Sequence, residues 1–311
     1  MGEKLTHMSN YLSYLYLLTP LHTGATSNEG NLMGIARETQ TNLPYIPSSS
    51  IRGKIRSTIE ANPFNKVESG SFFGERIKNG NQPTEGEVWF ADATLLLFPV
   101  ASYSHHYLWI TCPLWLSRWN RWLQNQDLAK LIQKSRLAFK DIDTDKKAIA
   151  SVTGQQVFLQ GAILKQEEIT QIHTLDIVDK SENIWDIFKQ IPDGNDILQL
   201  EEKLLILDDQ DCAALVEVGL QREVKIALEE NQKKVDSGSF RSQEAIPSET
   251  VLFFPWGMKS KKDDSTQTVR KLLINTLNDR LQFGGLEGLG RGWTETKTFE
   301  LITNSEQKEE S

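Results

Sequence analysis

The sequence contains little cysteine and no long apolar run, and both deficits narrow the classes of protein it can encode. Its 311 residues include two cysteines, Cys112 and Cys212, neither of which has a CxxC partner. Neither a zinc site nor a disulfide framework is therefore expected, and a reducing, cytoplasmic setting fits best. The longest apolar stretch, residues 95–101, is far too short to span a membrane. We therefore expect a protein that is not exported and has no membrane partner.

An excess of positive charge is also missing. The chain carries 34 Lys and Arg against 42 Asp and Glu, a net charge of -8, which argues against a protein that binds nucleic acid through overall basicity but leaves room for a local basic groove. It has no GxGxxG fingerprint, Walker P-loop, GxSxG elbow or HExxH motif. Adjacent His105 and His106 would face opposite sides of a strand, so they make no convincing metal pair. These residues predict no bound metal and no cofactor.

The remaining composition is that of an ordinary globular protein, either one elaborated α+β domain or two average domains. Apolar patterns predict buried strands within residues 11–24, 86–102 and 249–256, and an amphipathic helix around residues 269–281. Residues 219–240 predict a strand, a turn and a return strand. Three tryptophans at helical spacing are interpreted as core packing rather than as a platform for stacked bases: Trp115, Trp119 and Trp122.

A serine-rich turn leads into a basic helix within residues 43–60, which is unusual in an acidic chain. The serines at its start predict a helix N-cap, and isoleucines four residues apart predict one apolar face. Three cations, Arg52, Lys54 and Arg56, fall in the first two turns, where the helix dipole disfavours positive charge. We therefore expect an external anion to bind near the start of this helix.

Residues 284–293, GGLEGLGRGW, contain five glycines and Arg291. Glycine lets backbone N–H groups turn toward an anion and lets a ligand approach the main chain. Such a segment is, on its own, more often a structural loop. Together with serine hydroxyls, a helix N-terminus and nearby cations, it has what binding of a phosphate-bearing polymer requires.

An ordered set of motifs resembles the RAMP superfamily, and within it the repeating backbone subunit of type III-B (Cmr) CRISPR effector complexes. The motifs are LHTG, RETQTNLPYIPSSSIRGKIR, SFFG, VWFADATLLLFPVAS, ITCPLWLSRW and GGLEGLGRGW. The resemblance implies an α+β fold with a ferredoxin-like (RRM-type) βαββαβ core, large insertions and a protruding β-hairpin thumb. It also implies that several copies stack along a guide RNA, beside other type III effector subunits, and present target RNA.

The same resemblance implies one domain over residues 1–303 and a disordered tail at residues 304–311. The core would comprise residues 11–125 and 246–303, with the insertion and thumb region at 126–245 and the thumb itself around 222–240. Contacts to the RNA backbone would be blind to base identity, and guide–target pairing would read the sequence. The implied RNA-binding residues are His22, Gly24, Arg37, Ser48, Ser49, Ser50, Arg52, Lys54, Arg56, Arg222, Lys225, Gly288, Gly290 and Arg291.

The chain departs from the family pattern at two places. The family usually has glycine where this chain has Ser48. Family members that cut target RNA use an aspartate in the loop after LHxG, but residues 23–38 contain none, and Glu29 is the carboxylate close to that position. We therefore expect a scaffold that does not cleave. The alternatives are a target-RNA endonuclease that uses Glu29 with a divalent metal such as Mg²⁺ and, less favoured, a nucleotide-binding enzyme that uses the glycine-rich loop.

Overall fold

A computed structural model gives the architecture of the chain. It describes residues 9–24, 32–62, 69–75, 84–141, 145–153, 156–177, 184–192, 198–225, 241–259 and 264–301. The strands are β1 (Ser9–Leu17), β2 (Leu32–Met33), β3 (Val88–Phe90), β4 (Thr94–Ser102), β5 (His106–Thr111), β6 (Ala148–Ala150), β7 (Gln156–Leu159), β8 (Ala162–Lys165), β9 (Ile169–Gln171), β10 (Leu204–Leu207), β11 (Gln221–Lys225), β12 (Arg241–Ala245), β13 (Val251–Met258), β14 (Arg280–Gln282) and β15 (Trp293–Leu301). The helices are α1 (Ser48–Ala61), α2 (Ser69–Phe73), α3 (Pro113–Leu123), α4 (Gln126–Lys140), α5 (Leu200–Lys203), α6 (Asp209–Gly219) and α7 (Asp264–Thr276). Within these ranges, no helix combines the length and apolar character needed to cross a membrane.

Twelve of the described strands form one large sheet. Its centre is the antiparallel order β15–β1–β13–β4, in which Tyr16 of β1 lies opposite Val251 of β13. A second sheet has the order β11–β12–β2, with β11 and β12 antiparallel and β12 parallel to β2. The α+β class and the buried strands predicted around residues 11–24 and 249–256 are thereby confirmed. Residues 86–102 form two strands, β3 and β4, which both pair with β13.

Alternation along β1 divides the core between the two faces of the large sheet. Leu15 packs in one cluster with the buried isoleucines of α1 and with Leu273 of α7. Tyr14, the neighbouring residue in β1, packs in the other cluster with Trp119 of α3 and Leu128 of α4. Helices α1 and α7 therefore cover one face of the sheet, and α3 and α4 cover the opposite face.

The tryptophans of α3 take part in the core, as their spacing predicts. Trp115 and Trp119 are fully buried, and the indole N–H of Trp119 donates to the hydroxyl of Tyr14 at 2.8 Å. Burial raises the pKa of Tyr14 well above its ordinary value. Trp122 is half-buried and contacts Trp89, with ring centroids 6.1 Å apart. The interpretation as core packing is confirmed.

The helix predicted around residues 269–281 is α7, but it ends at Thr276. The backbone N–H of Asn278 turns to the carbonyl of Asn275, and the side chain of Asp279 accepts from the N–H of Arg280. Asn and Asp favour such turns because their side chains bond nearby backbone groups. The apolar pattern in the sequence continues past the end of the helix because Leu281, in strand β14, is buried in the same core cluster.

Both cysteines are free thiols without solvent exposure. Cys112 precedes α3 and Cys212 lies in α6, yet the two side chains are close neighbours. Burial raises the pKa of the Cys212 thiol, and the neighbouring Cys112 raises it further. Because both side chains are fully buried, these residues act as small apolar groups of the core.

Candidate nucleic-acid interface

Helix α1 begins differently from the prediction. Its N-cap is Pro47, which has no side-chain cap, and Ser48 is the first helical residue, so the prediction of serine capping is wrong. The backbone N–H of Ser48 donates to Oδ1 of Asp92 at 2.7 Å, while that of Ser50 donates to the carbonyl of Pro47 at 2.9 Å. Asp92 lies in the loop between β3 and β4. It places a carboxylate at the helix N-terminus, where the dipole favours negative charge.

Two of the three cations of α1 bind the protein's own backbone. Arg52 donates from Nη1 to the carbonyl of Val88 at 2.9 Å and from Nη2 to that of Phe73. Arg56 donates from Nη1 to the carbonyl of Gly74 at 3.0 Å. Burial, together with the charge of Arg56, lowers the pKa of Arg52. These two arginines hold the end of α2 against α1, and their predicted contact with RNA stays a prediction.

The third cation, Lys54, connects helix α1 to the glycine-rich loop, the two segments in which the sequence predicts binding of an anion. Lys54 Nζ lies 3.3 Å from Oε1 of Glu287, which belongs to the glycine-rich loop. Glu287 is about half exposed, whereas the Lys54 side chain is more covered. The basic helix and the glycine-rich loop are therefore adjacent on one side of the large sheet.

Two glycines of this loop are required by the fold. Gly284 and Gly292 have φ of 79° and 81°, in the left-handed region. A Cβ on Gly292 would lie 1.8 Å from the carbonyl oxygen of Phe283, and one on Gly284 would lie 2.4 Å from that of His22. Glycine is needed here for the close approach of two backbone segments within the protein.

Two other glycines of the loop border open space. A Cβ added to Gly288 or Gly290 would meet no atom within 4 Å, although Gly290 has φ of 73°. Both residues are exposed. They are the part of the loop whose main chain a ligand can approach.

His22 supports the loop from the interior. The backbone N–H of Gly285 donates to the His22 carbonyl at 2.8 Å, and the His22 ring nitrogen Nδ1 lies 2.8 Å from the carbonyl oxygen of Glu244. The His22 side chain is buried, so the role visible in the structure is to connect the loop to β12. Gly24, two residues later, is exposed and bridges to Ile35.

A network of ion pairs surrounds the second sheet. Arg37 contacts Glu217 at 2.8 Å and Glu244 at 2.9 Å, and Arg222 contacts the same two carboxylates at 2.5 and 3.3 Å. The side chain of Glu244 is 3% exposed, whereas that of Arg222 is 55% exposed. A buried carboxylate needs such partners, because an unpaired charge in the interior is costly.

Arg291 completes the connection between the glycine-rich loop and this sheet. Its guanidinium lies 2.5 Å from a carboxylate oxygen of Glu223 in β11, and its side chain is 10% exposed. The hydrogen bond from Arg291 lowers the pKa of Glu223. Lys225, at the end of β11, is partly exposed. The structure thus gathers the predicted residues around α1, the glycine-rich loop and the second sheet.

The acidic partners of these cations were missed by sequence reasoning. Arg222 and Glu244 lie opposite each other in the antiparallel β11–β12 pair, so a known strand register would have identified that contact. The register could not be read from the sequence, because periodicity along each strand does not specify which residues of the two strands lie opposite each other. The other acidic partners of these cations are Glu60, Glu217, Glu223 and Glu287.

Parts of the predicted site lie outside the described residues. These are Glu29, within residues 25–31, and most of the proposed thumb, at residues 226–240. Among the residues that are described, no three His, Cys, Asp or Glu side chains are grouped so that they could hold a metal ion. The arrangement of the described groups suits the binding of a polyanion by main-chain, hydroxyl and cationic donors.

Comparison with known proteins gives the family. Residues 14–295 match the family model of the RAMP superfamily. The chain is 27% identical over 308 residues to the CRISPR system Cmr endoribonuclease Cmr4 of Pyrococcus furiosus, which covers 96% of this chain and 98% of the relative.

Solved structures share the fold. A type III-B Cmr-β structure in the apo state matches with a TM-score of 0.69 at 19% identity, covering 93% of this chain and 96% of that one. A structure of Cmr-β bound to cognate target RNA also matches with a TM-score of 0.69 at 19% identity, covering 94% of this chain and 97% of that one. Oligomeric Cmr4 from Pyrococcus furiosus matches with a TM-score of 0.63 at 23% identity, covering 96% of this chain and 100% of that one. Because the family model spans most of its length, this chain belongs to the RAMP superfamily.

Proposed function

We propose that this protein is a backbone subunit of a type III-B CRISPR effector complex. It binds guide RNA, stacks with further copies of itself and with other effector subunits, and presents target RNA to the guide. The observation that carries the proposal is the similarity to the Pyrococcus furiosus Cmr4, which extends over 96% of this chain and 98% of the relative.

The surface around Lys54 supports a contact with the RNA backbone. Lys54 and Arg222 are solvent-accessible cations, and Ser49, Gly288 and Gly290 are exposed beside them on α1 and the glycine-rich loop. Their present partners are carboxylates, which a phosphate group can replace, since both are oxygen anions that accept the same hydrogen bonds. Such contacts position RNA without reading its sequence.

Not every predicted residue is assigned the same role. Arg52, Arg56 and Arg291 are assigned to positioning, because their guanidinium groups bond to carbonyls or to Glu223 inside the protein. His22 is likewise assigned to holding the glycine-rich loop. The residues that we propose to touch RNA directly are Gly24, Arg37, Ser48, Ser49, Ser50, Lys54, Arg222, Lys225, Gly288 and Gly290.

We further infer that β1, α1, β4, β13, α7 and β15 form a ferredoxin-like βαββαβ core. The antiparallel order β15–β1–β13–β4 supports this inference, as do helices α1 and α7 packed on the same face. The core would then comprise residues 11–125 and 246–303 of a single domain, with residues 126–245 as the insertion and thumb region. The β11–β12 pair supports a hairpin thumb at this position.

We propose that the subunit does not itself cleave target RNA. Residues 23–38 lack the aspartate that cleaving family members use. The alternative, cleavage with Glu29 and Mg²⁺, is favoured by one observation: the relative that matches end to end is named an endoribonuclease.

Two experiments test these proposals. The protein as purified from its host should retain RNA of discrete length; saturable binding of a mononucleotide without preference for long RNA would favour a nucleotide-binding enzyme instead. The assembled complex, mixed with matched labelled RNA and Mg²⁺, should leave the RNA intact. Regularly spaced cuts would refute the scaffold proposal if they disappear in Glu29→Gln but persist in the control variant Glu85→Gln. The side chain of Glu85 is 84% exposed.

A further inference from the structure

A cleft of about 520 Å³ lies between α3 and α4. These helices cover the face of the large sheet opposite α1, so the cleft is separate from the surface around Lys54. Its wall from α4 consists of side chains three or four residues apart, which occupy one side of that helix. The surface is therefore a groove between two helices.

The groove is cationic, although the chain is acidic. Arg121 of α3 and Arg136 and Lys140 of α4 line it, and none of the described residues that line it is acidic. Arg121 and Lys140 are exposed and form no ion pair among the residues that the structure describes. The cations around Lys54 each have a carboxylate or carbonyl partner, so this groove has a different electrostatic character.

One guanidinium in the groove is already held in place. Arg136 Nη2 donates to Oγ of Ser117 at 2.7 Å, and Ser117 in turn donates to the carbonyl of Pro113 at 2.5 Å. A fixed guanidinium loses less conformational entropy on binding an anion, and its planar fork matches a carboxylate. The groove is thus partly organised for an anionic ligand.

Apolar side chains accompany these cations. Ile132 forms part of the groove wall, and Leu137 is 61% exposed beside it. None of the described residues that line the groove is aromatic, so none offers a ring on which a nucleobase could stack, whereas single-stranded RNA binding relies on such stacking. Arginine combined with apolar contact area is instead typical of protein–protein interfaces.

We propose that the α3–α4 groove binds an acidic peptide segment of a partner protein. Carboxylates of that segment contact Arg121, Arg136 and Lys140, and an apolar side chain packs on Leu137. Charge complementarity supports this occupant, because the groove is lined by Arg121, Arg136 and Lys140 and therefore attracts carboxylates. The proposal does not depend on guide-RNA binding.

The test uses the full-length protein and a short fluorescein-labelled peptide in which glutamate recurs at every fourth position, with leucines between. Anisotropy should show saturable binding. Replacing Arg121, Arg136 and Lys140 together by Glu should weaken binding at least about tenfold, given the usual strength of exposed charge pairs, and Leu137→Ala should weaken it less. The matched control replaces three exposed cations elsewhere, Lys165, Lys271 and Arg280, by Glu and should leave binding unchanged.

Two results would overturn the proposal: no binding of the peptide to the wild-type protein, or equal loss of affinity in the control. A labelled RNA is the second ligand. If the triple reversal in the groove weakens RNA binding as much as peptide binding, the groove is a general anion site or an RNA site and the peptide proposal fails. If that variant unfolds by circular dichroism, Arg121→Gln with Lys140→Gln, which keeps Arg136 in place, repeats the measurement with the same criteria.

Discussion

The ammonium group of Lys54 lies 3.3 Å from a carboxylate oxygen of Glu287, across 233 residues of sequence. This contact places helix α1 next to the glycine-rich loop. Arg291 of the same loop contacts Glu223, so the loop also meets the second sheet. The segments that the sequence associates with phosphate binding are therefore neighbours, and the cations at their junction are paired with carboxylates.

The first prediction concerns competition at this junction. Lys54→Glu should weaken the binding of guide-length RNA about three- to tenfold, because it replaces an attraction to phosphate by a repulsion. Glu287→Gln should strengthen binding, because it removes the carboxylate that competes with phosphate for Lys54. Filter binding or anisotropy measures both effects.

Salt titration provides the control for that experiment. If Lys54 contacts a phosphate, Lys54→Gln should reduce the slope of log affinity against log salt by about one. A slope unchanged from that of the wild-type protein would place Lys54 outside the RNA contact.

The second prediction separates positioning from binding in α1. Arg52→Ala should lower the free energy of unfolding by about 2 kcal/mol, because the carbonyls of Val88 and Phe73 lose a charged donor. Lys54→Ala, the matched change in the same helix, should lower it by less than about 1 kcal/mol, since its ion pair is solvent-accessible. Urea denaturation measures both. Equal effects would contradict the assignment of Arg52 to positioning.

The third prediction uses two glycines of one loop. Gly292→Ala should destabilise the fold by at least about 2 kcal/mol, because Cβ would collide with the carbonyl of Phe283 at a positive φ. Gly288→Ala should change stability by less than about 0.5 kcal/mol, since its surroundings are open. If RNA approaches the main chain at Gly288, the same change should weaken RNA binding in a fully folded protein. Thermal unfolding and RNA titration of both variants check these outcomes.

The fourth prediction concerns pH. Because Arg291 lowers the pKa of Glu223 in the folded state, the pair contributes its full stabilisation above the usual carboxyl pKa of 4.5 and loses it as the pH falls through the lowered value. The contribution is about 0.5 kcal/mol, since the Glu223 side chain is 37% exposed. At pH 7, Glu223→Gln should therefore unfold at lower urea concentration than the wild-type protein. The two midpoints should converge well below pH 4; a difference that persists there would exclude the ion pair as its cause.

Local patterns in the sequence were sufficient to predict the helices and strands that bury one face in the core. The isoleucines of α1, the tryptophans of α3 and the apolar run of β13 all occupy the core, because side-chain periodicity reports burial directly. The α+β class was predictable for the same reason.

The partners of the cations were not predictable from those patterns. Lys54 and Glu287, or Arg37 and Glu244, are far apart in the chain and meet through tertiary packing alone. The capping of α1 failed similarly, since Asp92 comes from a different loop and replaces the local serine side chains. Long-range ion pairs depend on strand register and on how layers pack, which periodicity does not specify.

The burial of both native thiols has a practical consequence. Cys112 and Cys212 are the two cysteines of the entire chain, and neither is accessible to solvent. A maleimide dye added to the folded protein should therefore react at a cysteine introduced on the surface, such as Tyr103→Cys at a side chain that is 86% exposed, with little background from the native pair. Fluorescence from that single attachment point can then follow assembly of the complex without removing any natural residue of the core.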